Sequence, residues 1–241
     1  VFDDRSPQLD RFGPLLVLTI LAVTTLSLVD LAAPSDVGWR KVAATSVSLL
    51  TGLTLLLALR ASGLARRWRH VADGLFALVA IVSLVLLAVE LGSGVDLRAF
   101  SSERPSALWV AIAVATPVAV VRRLLKHRRV TTATMFGAVA GYLLIALAFW
   151  YAFRFADRAQ AEPFFAGVAD APTTSFMYFS LTSMTTVGYG DLTAATNLGR
   201  LLATSEAVTG QVYLVAFVAM LVGLRIQQRE AAEPRAPESG R

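Results

Sequence analysis

The amino-acid sequence predicts an all-α membrane protein: six transmembrane helices, with a shorter re-entrant helix between the fifth and the sixth. Three observations predict it. Hydrophobic residues fill 56% of the 241 positions and charged residues only 16%, a balance natural to a polytopic membrane protein and rare in a soluble domain. The apolar residues gather into six stretches of roughly spanning length. The basic residues divide unequally between the connections on either side. The composition also excludes other classes. There is no cysteine, so disulfides and thiolate metal sites are absent, and His70 and His127 lie too far apart in sequence to suggest a histidine metal centre. The net charge of +5 sits beside apolar stretches, which argues for a membrane surface and against nucleic acid.

The first stretch, residues 14–29, follows a leader containing Asp3, Asp4 and Asp10 against Arg5 and Arg11. That is not a positive signal-peptide start, and no small-x-small site closes the apolar run, so a retained helix is expected. Residues 42–59 and 74–91 are the second and third stretches. The fourth, 106–121, is short and contains Pro117. Residues 130–153 and 198–226 form the fifth and sixth, and a polar connection followed by the short segment 175–184 lies between them. With six spans, 15 basic residues fall on one side and 7 on the other, which places both termini in the cytoplasm. The short segment then enters from the outside face.

Directly after it comes TTVGYGD, residues 185–191, in which Gly188 and Gly190 alternate with Val187 and Tyr189. Glycine at every second position supplies backbone conformations closed to other residues. Irregular backbone at membrane depth is tolerated only where protein buries it or where it lines a watery cavity. Ten helical residues at ~1.5 Å each cover ~15 Å, about half the hydrocarbon core, so residues 175–184 would end near mid-membrane. The partial negative charge of that helix end favours a cation. A return strand whose carbonyls all face one side, with the Thr186 hydroxyl at its inner end, would coordinate one, and four such strands would replace the water shell of a monovalent ion.

TTVGYGD resembles the signature filter of potassium channels. Residues 197–223, NLGRLLATSEAVTGQVYLVAFVAMLVG, are similar to the inner pore-lining helix of bacterial channels of that superfamily, including Gly199 and Arg200 at its start. The resemblance covers residues 130–226. It implies that Thr186, Val187, Gly188 and Tyr189 supply oxygens to K⁺, that Gly190 completes the filter and that Asp191 sits at the outer mouth. It implies potassium over sodium as well; glycine alternation alone says only monovalent cation. Gly210 matches the family's mid-helix hinge position, although a glycine there also permits close helix packing. The segment FMYFSLTSM departs from the family by placing Phe176, Tyr178 and Phe179 where tryptophans are frequent, with Tyr178 in reach of Asp191. Thr182 stands where some relatives carry a glutamate behind the filter. Glu206 lies inside a span at a cost of ~2.5–3.5 kcal/mol. It either faces the inner cavity or, as expected here, is buried behind the filter against pore-helix hydroxyls such as Thr182 or Ser183.

Six spans with one pore unit resemble the voltage-gated arrangement, but the fourth stretch, ALWVAIAVATPVAV, has no basic residue. Arg123, Lys126 and Arg129 are spaced by three yet lie beyond the apolar run. One charge crossing the field yields ~2.3 kcal/mol per 100 mV, so a helix without charges responds little. Strong voltage gating is not expected. The connector residues Arg122, Arg123, Lys126, Arg128 and Arg129 suit anionic lipid head groups at ~1 kcal/mol each. The predicted organisation is a four-helix bundle over residues 1–129 resembling a degenerate voltage sensor, a pore domain over 130–226 and a disordered cytoplasmic tail over 227–241. The implied activity is passive K⁺ conduction by a homotetramer in a cell membrane, with no cofactor beyond the permeant ion and no enzyme chemistry. The Ala/Arg-rich composition points to a bacterial inner membrane. The rivals are an ion-coupled transporter, a weakly voltage-dependent or poorly selective cation channel, and a non-conducting accessory subunit.

Overall fold

The computed structural model describes residues 12–32, 37–61, 66–93, 107–124 and 132–232. Among them the chain forms seven α-helices: α1 (Phe12–Ala32), α2 (Val37–Ala61), α3 (Arg66–Ser93), α4 (Ala107–Leu124), α5 (Thr132–Ala159), α6 (Thr173–Met184) and α7 (Asn197–Ala232). Three are long and apolar enough to cross a membrane, over Phe12–Leu31, Ala133–Ala159 and Asn197–Met220. The apolar parts of the other three long helices are shorter: Thr45–Arg60, Phe76–Val89 and Val110–Arg122. At ~1.5 Å per residue they fall short of the ~30 Å hydrocarbon core, so the six-span count rests on helices that extend beyond their apolar segments.

Hydroxyl residues recur inside these helices, and the fold shows how they are tolerated. Thr19, Thr51, Thr54 and Thr116 each donate to the carbonyl four residues earlier, at 2.6–2.9 Å, which satisfies the hydroxyl without leaving the helix. Thr51 also accepts a bond from the buried Tyr151 hydroxyl at 3.0 Å, tying α2 to α5. At the far end of α2, Arg60 pairs with Asp73 of α3 at 2.8 Å. Arg66, Arg67 and Arg69 lie in the first turn of α3.

Helix α5 is the hub, packed against α1, α4, α6 and α7. Its approach to α1 and α4 depends on Gly137, where a Cβ would lie 2.9 Å from both the Phe12 ring and the Leu124 side chain. A methyl group there would have to displace two buried side chains. Helix α1 also lies against α6, so the N-terminal bundle and the short helix are in direct contact.

Helix boundaries extend beyond several of the expected apolar stretches, and two of the differences bear on the region around the loop. Helix α6 begins at Thr173, two residues early, because Pro172 at its N-cap is extended (φ −65°, ψ 159°) and cannot itself continue a helix backwards. Helix α7 continues to Ala232, so residues 227–232 are helical and not part of a disordered tail. Nothing breaks the helix between Ile226 and Ala232: the run QQREAA holds only good helix formers, and the first proline comes at Pro234. Residues 233–241 lie outside the described residues, as do Lys126, Arg128 and Arg129 of the basic connector.

Candidate functional site

The site is built by α6, the loop that leaves it and the start of α7. Helix α6 ends at Met184; the amide of its C-cap, Thr185, donates to the Leu181 carbonyl at 3.0 Å, followed by Thr186 to Ser183 at 3.0 Å. The Gly188 amide then reaches back to the Thr182 carbonyl at 3.2 Å, so the extended loop stays tethered to the helix end. Within the loop φ is positive at Thr186 (+60°), Gly188 (+50°) and Gly190 (+79°). No atom lies within 4 Å of a Cβ built on either glycine. The glycines are therefore needed for backbone conformation and not for space. Thr186 adopts the left-handed region with a side chain present, a strained state that requires support from its surroundings.

Residues 185–190 are exposed, Val187 at 53% and Tyr189 at 71%. Among the described residues none donates a hydrogen bond to the carbonyls of Thr186, Val187, Gly188 or Tyr189. Four consecutive backbone acceptors are thus left open on a loop that extends from the end of a buried helix. Backbone acceptors of this kind seek a partner, from water, protein or a cation.

Supports hold the loop at both ends. The Tyr178 hydroxyl donates to Asp191 Oδ2 at 2.9 Å, and its ring stacks on Tyr189 with centroids 6.2 Å apart and planes 4° from parallel. Beyond Asp191 the chain pairs with the connection between α5 and α6: Ala166 donates to the Thr193 carbonyl at 2.9 Å and Ala195 to Phe164 at 2.8 Å. Thr196 caps α7 by accepting the Gly199 amide at 3.0 Å. Arg200 Nε donates to the Ala194 carbonyl at 3.1 Å, fixing the exit from the loop. Gly199 is required because a Cβ would stand 3.1 Å from both Ala194 and the Phe164 ring.

Behind α6 is an aromatic cluster of Phe153, Phe164, Phe165, Phe176 and Phe179, with ring centroids 4.8–5.8 Å apart. All five are buried. Phe164 and Phe165 escaped the sequence reading because they sit in a polar connection; the adjacent pair of phenylalanines within AEPFFAG was the available signal. The Phe164 amide is fixed by Asp157 Oδ1 at 3.1 Å.

Glu206 of α7 is fully buried behind α6, away from the exposed loop. Its partner is Ser180, not Thr182 or Ser183. The Ser180 oxygen lies 2.5 Å from Glu206 Oε1 and 2.9 Å from the Ala146 carbonyl of α5. Thr182 instead bonds within its own helix, to the Phe179 carbonyl at 3.1 Å. Ser180 has one proton and two acceptors in reach. The Ser180 hydroxyl is the donor in both contacts and shares its proton between the two acceptors. Glu206 Oε2 has no partner among the described residues. The three helices around the loop are linked through this one hydroxyl.

Gly210 is also buried, and a Cβ there would lie 2.7 Å from the Met184 carbonyl oxygen and 2.8 Å from its Cγ. It lets α7 touch the last turn of α6. The same carbonyl accepts a bond from the Tyr142 hydroxyl at 3.3 Å. A second close approach occurs at Gly141, which admits the Tyr213 hydroxyl to within 2.7 Å of the Ala138 carbonyl. Among the described residues no group of three or more His, Asp or Glu could hold a metal ion.

Comparison with known proteins agrees with this geometry over part of the chain. A family model described as "Ion channel" matches residues 130–224, the region from the start of α5 through most of α7. No curated protein and no solved structure matches. Residues 130–224 are thus similar to an ion-channel family, and three of the described helices are long and apolar enough to cross a membrane.

Proposed function

We propose that the chain is one subunit of a potassium-selective channel that conducts K⁺ passively as a homotetramer. The observation that carries the reading is the row of unpaired carbonyls at Thr186, Val187, Gly188 and Tyr189, on a loop braced at both ends. One chain offers one such row, and a single row cannot surround an ion. Fourfold symmetry closes it into a ring of oxygens that takes the place of hydration water. The C-terminal end of α6 would then point its partial negative charge towards the cation. Helix α7 leaves Leu201, Val208, Val212, Val215, Val218 and Val222 exposed, an apolar surface suited to neighbouring subunits and to an inner vestibule. Asp191 would lie at the outer mouth.

In this reading the six helices other than α6 all cross the membrane and both termini face the cytoplasm. The N-terminal four form a bundle without strong voltage response, and the basic residues from Arg122 to Arg129 meet anionic lipid. Potassium selectivity follows from the TVGYG resemblance and from the intact Thr186–Val187–Gly188–Tyr189–Gly190 sequence. The test is reconstitution in liposomes and planar bilayers with opposed K⁺ and Na⁺ gradients. Discrete currents reversing near the K⁺ equilibrium potential are expected. Slow saturating flux would instead indicate a transporter, absence of flux an accessory subunit, and reversal near zero a non-selective channel.

A further inference from the structure

Helix α6 begins without a cap of its own. Its N-cap residue, Pro172, has no side-chain acceptor, and no side-chain capping bond is made locally. The first helical amides need partners all the same. One comes from 144 residues away: the Thr174 amide donates to Asp30 Oδ2 at 2.7 Å. A carboxylate at that position completes the hydrogen bond and also complements the positive end of the α6 dipole.

Asp30 is poorly placed for its own helix. It lies in the last turn of α1, where the helix dipole disfavours a negative side chain, and it follows an almost wholly apolar run. Local propensity therefore does not explain it, whereas the contact with α6 does. Helix α1 packs along both α6 and α5, so the carboxylate is carried on a helix of the N-terminal bundle and reaches into the pore region of the same chain.

We propose that Asp30 is a positioning residue, a cap supplied by the bundle that holds α6, and hence the TTVGYGD loop, in its conducting arrangement. Movement of α1 is thereby coupled directly to the loop and does not need to pass through the α4–α5 connector. The route is short: α6 spans twelve residues, and its last turn holds the loop through the Thr182 carbonyl and the Gly188 amide at 3.2 Å. This inference rests on the channel reading for its functional consequence but not for the cap itself.

The experiment is single-channel recording of the full chain as D30A, D30N and D30E, together with hydrogen exchange of the Thr174 amide in the same preparations. D30A is expected to lower open probability roughly 3- to 30-fold, the range spanned by loss of a helix cap. Unitary current and reversal potential should stay unchanged. D30N keeps an oxygen acceptor and loses the charge, so it should fall between D30A and the parent protein, with Thr174 exchange rising in the same order. D30E tests reach and should recover part of the loss. Parent-like open probability in assembled D30A overturns the proposal, and so does a changed reversal potential, which would mean an effect on ion selection. If D30A fails to assemble, D30N decides: unchanged Thr174 exchange and unchanged opening refute the cap. Absence of current from the parent protein would sink the channel reading alone, since faster Thr174 exchange in D30N would still establish the cap.

Discussion

Replacing Ser180 with alanine tests how Glu206 is housed. The hydroxyl serves two neighbours, Glu206 Oε1 at 2.5 Å and the Ala146 carbonyl at 2.9 Å. Ala146 lies within α5 and keeps its helical bond, so it loses little. Glu206 loses the one partner it has among the described residues, because Oε2 has none there. A buried polar group left bare costs ~1–3 kcal/mol, and S180A should destabilise the fold by about that much. E206A removes the carboxyl and leaves Ser180 bonded to Ala146, so its cost is that of a cavity. In S180A/E206A no carboxyl remains to be orphaned, and the serine change should then cost almost nothing. The double-mutant cycle should therefore give a coupling of ~1–3 kcal/mol. E206Q keeps an oxygen acceptor for the Ser180 hydroxyl and should stay within ~1 kcal/mol of the parent protein. The assay is thermal and denaturant unfolding of the purified protein in one detergent. Costs for S180A and E206A that add within ~0.5 kcal/mol would refute the link.

Three further outcomes are expected. G210A places a methyl 2.7 Å from the Met184 carbonyl, a backbone atom that cannot turn aside, and should cost ~1–3 kcal/mol in unfolding with loss of flux; unchanged stability with altered gating would favour the hinge role for Gly210. G188A meets no neighbouring atom, so its cost is the backbone strain of φ +50°, ~1–2 kcal/mol, and D-alanine installed there by semisynthesis should be tolerated where L-alanine is not. F164A removes a fully buried ring from the cluster behind α6 and should lower stability by ~3–5 kcal/mol, measured by thermal unfolding.

Much of this protein could be read from the chain before folding because the relevant demands are local. Hydropathy located the apolar part of every long helix, since burial in lipid acts on each segment by itself. Glycine at 188 and 190 announced a backbone that other residues resist, and both adopt positive φ. The closeness of Tyr178 and Asp191 was visible for the same reason: a short helix and the loop leaving it keep them near each other. The tertiary structure alone decided the partners. Ser180, Thr182 and Ser183 are all hydroxyls within one turn of α6, and at ~100° per residue they point in different directions, so the rotation of α6 about its axis selects which one meets Glu206. Asp30 and Thr174 are 144 residues apart, and no local preference relates them. Phe164 and Phe165 looked like loop residues until the connection folded back over α6. Periodicity tells each helix that it has a buried face; only the packing of the helices against one another says what that face touches.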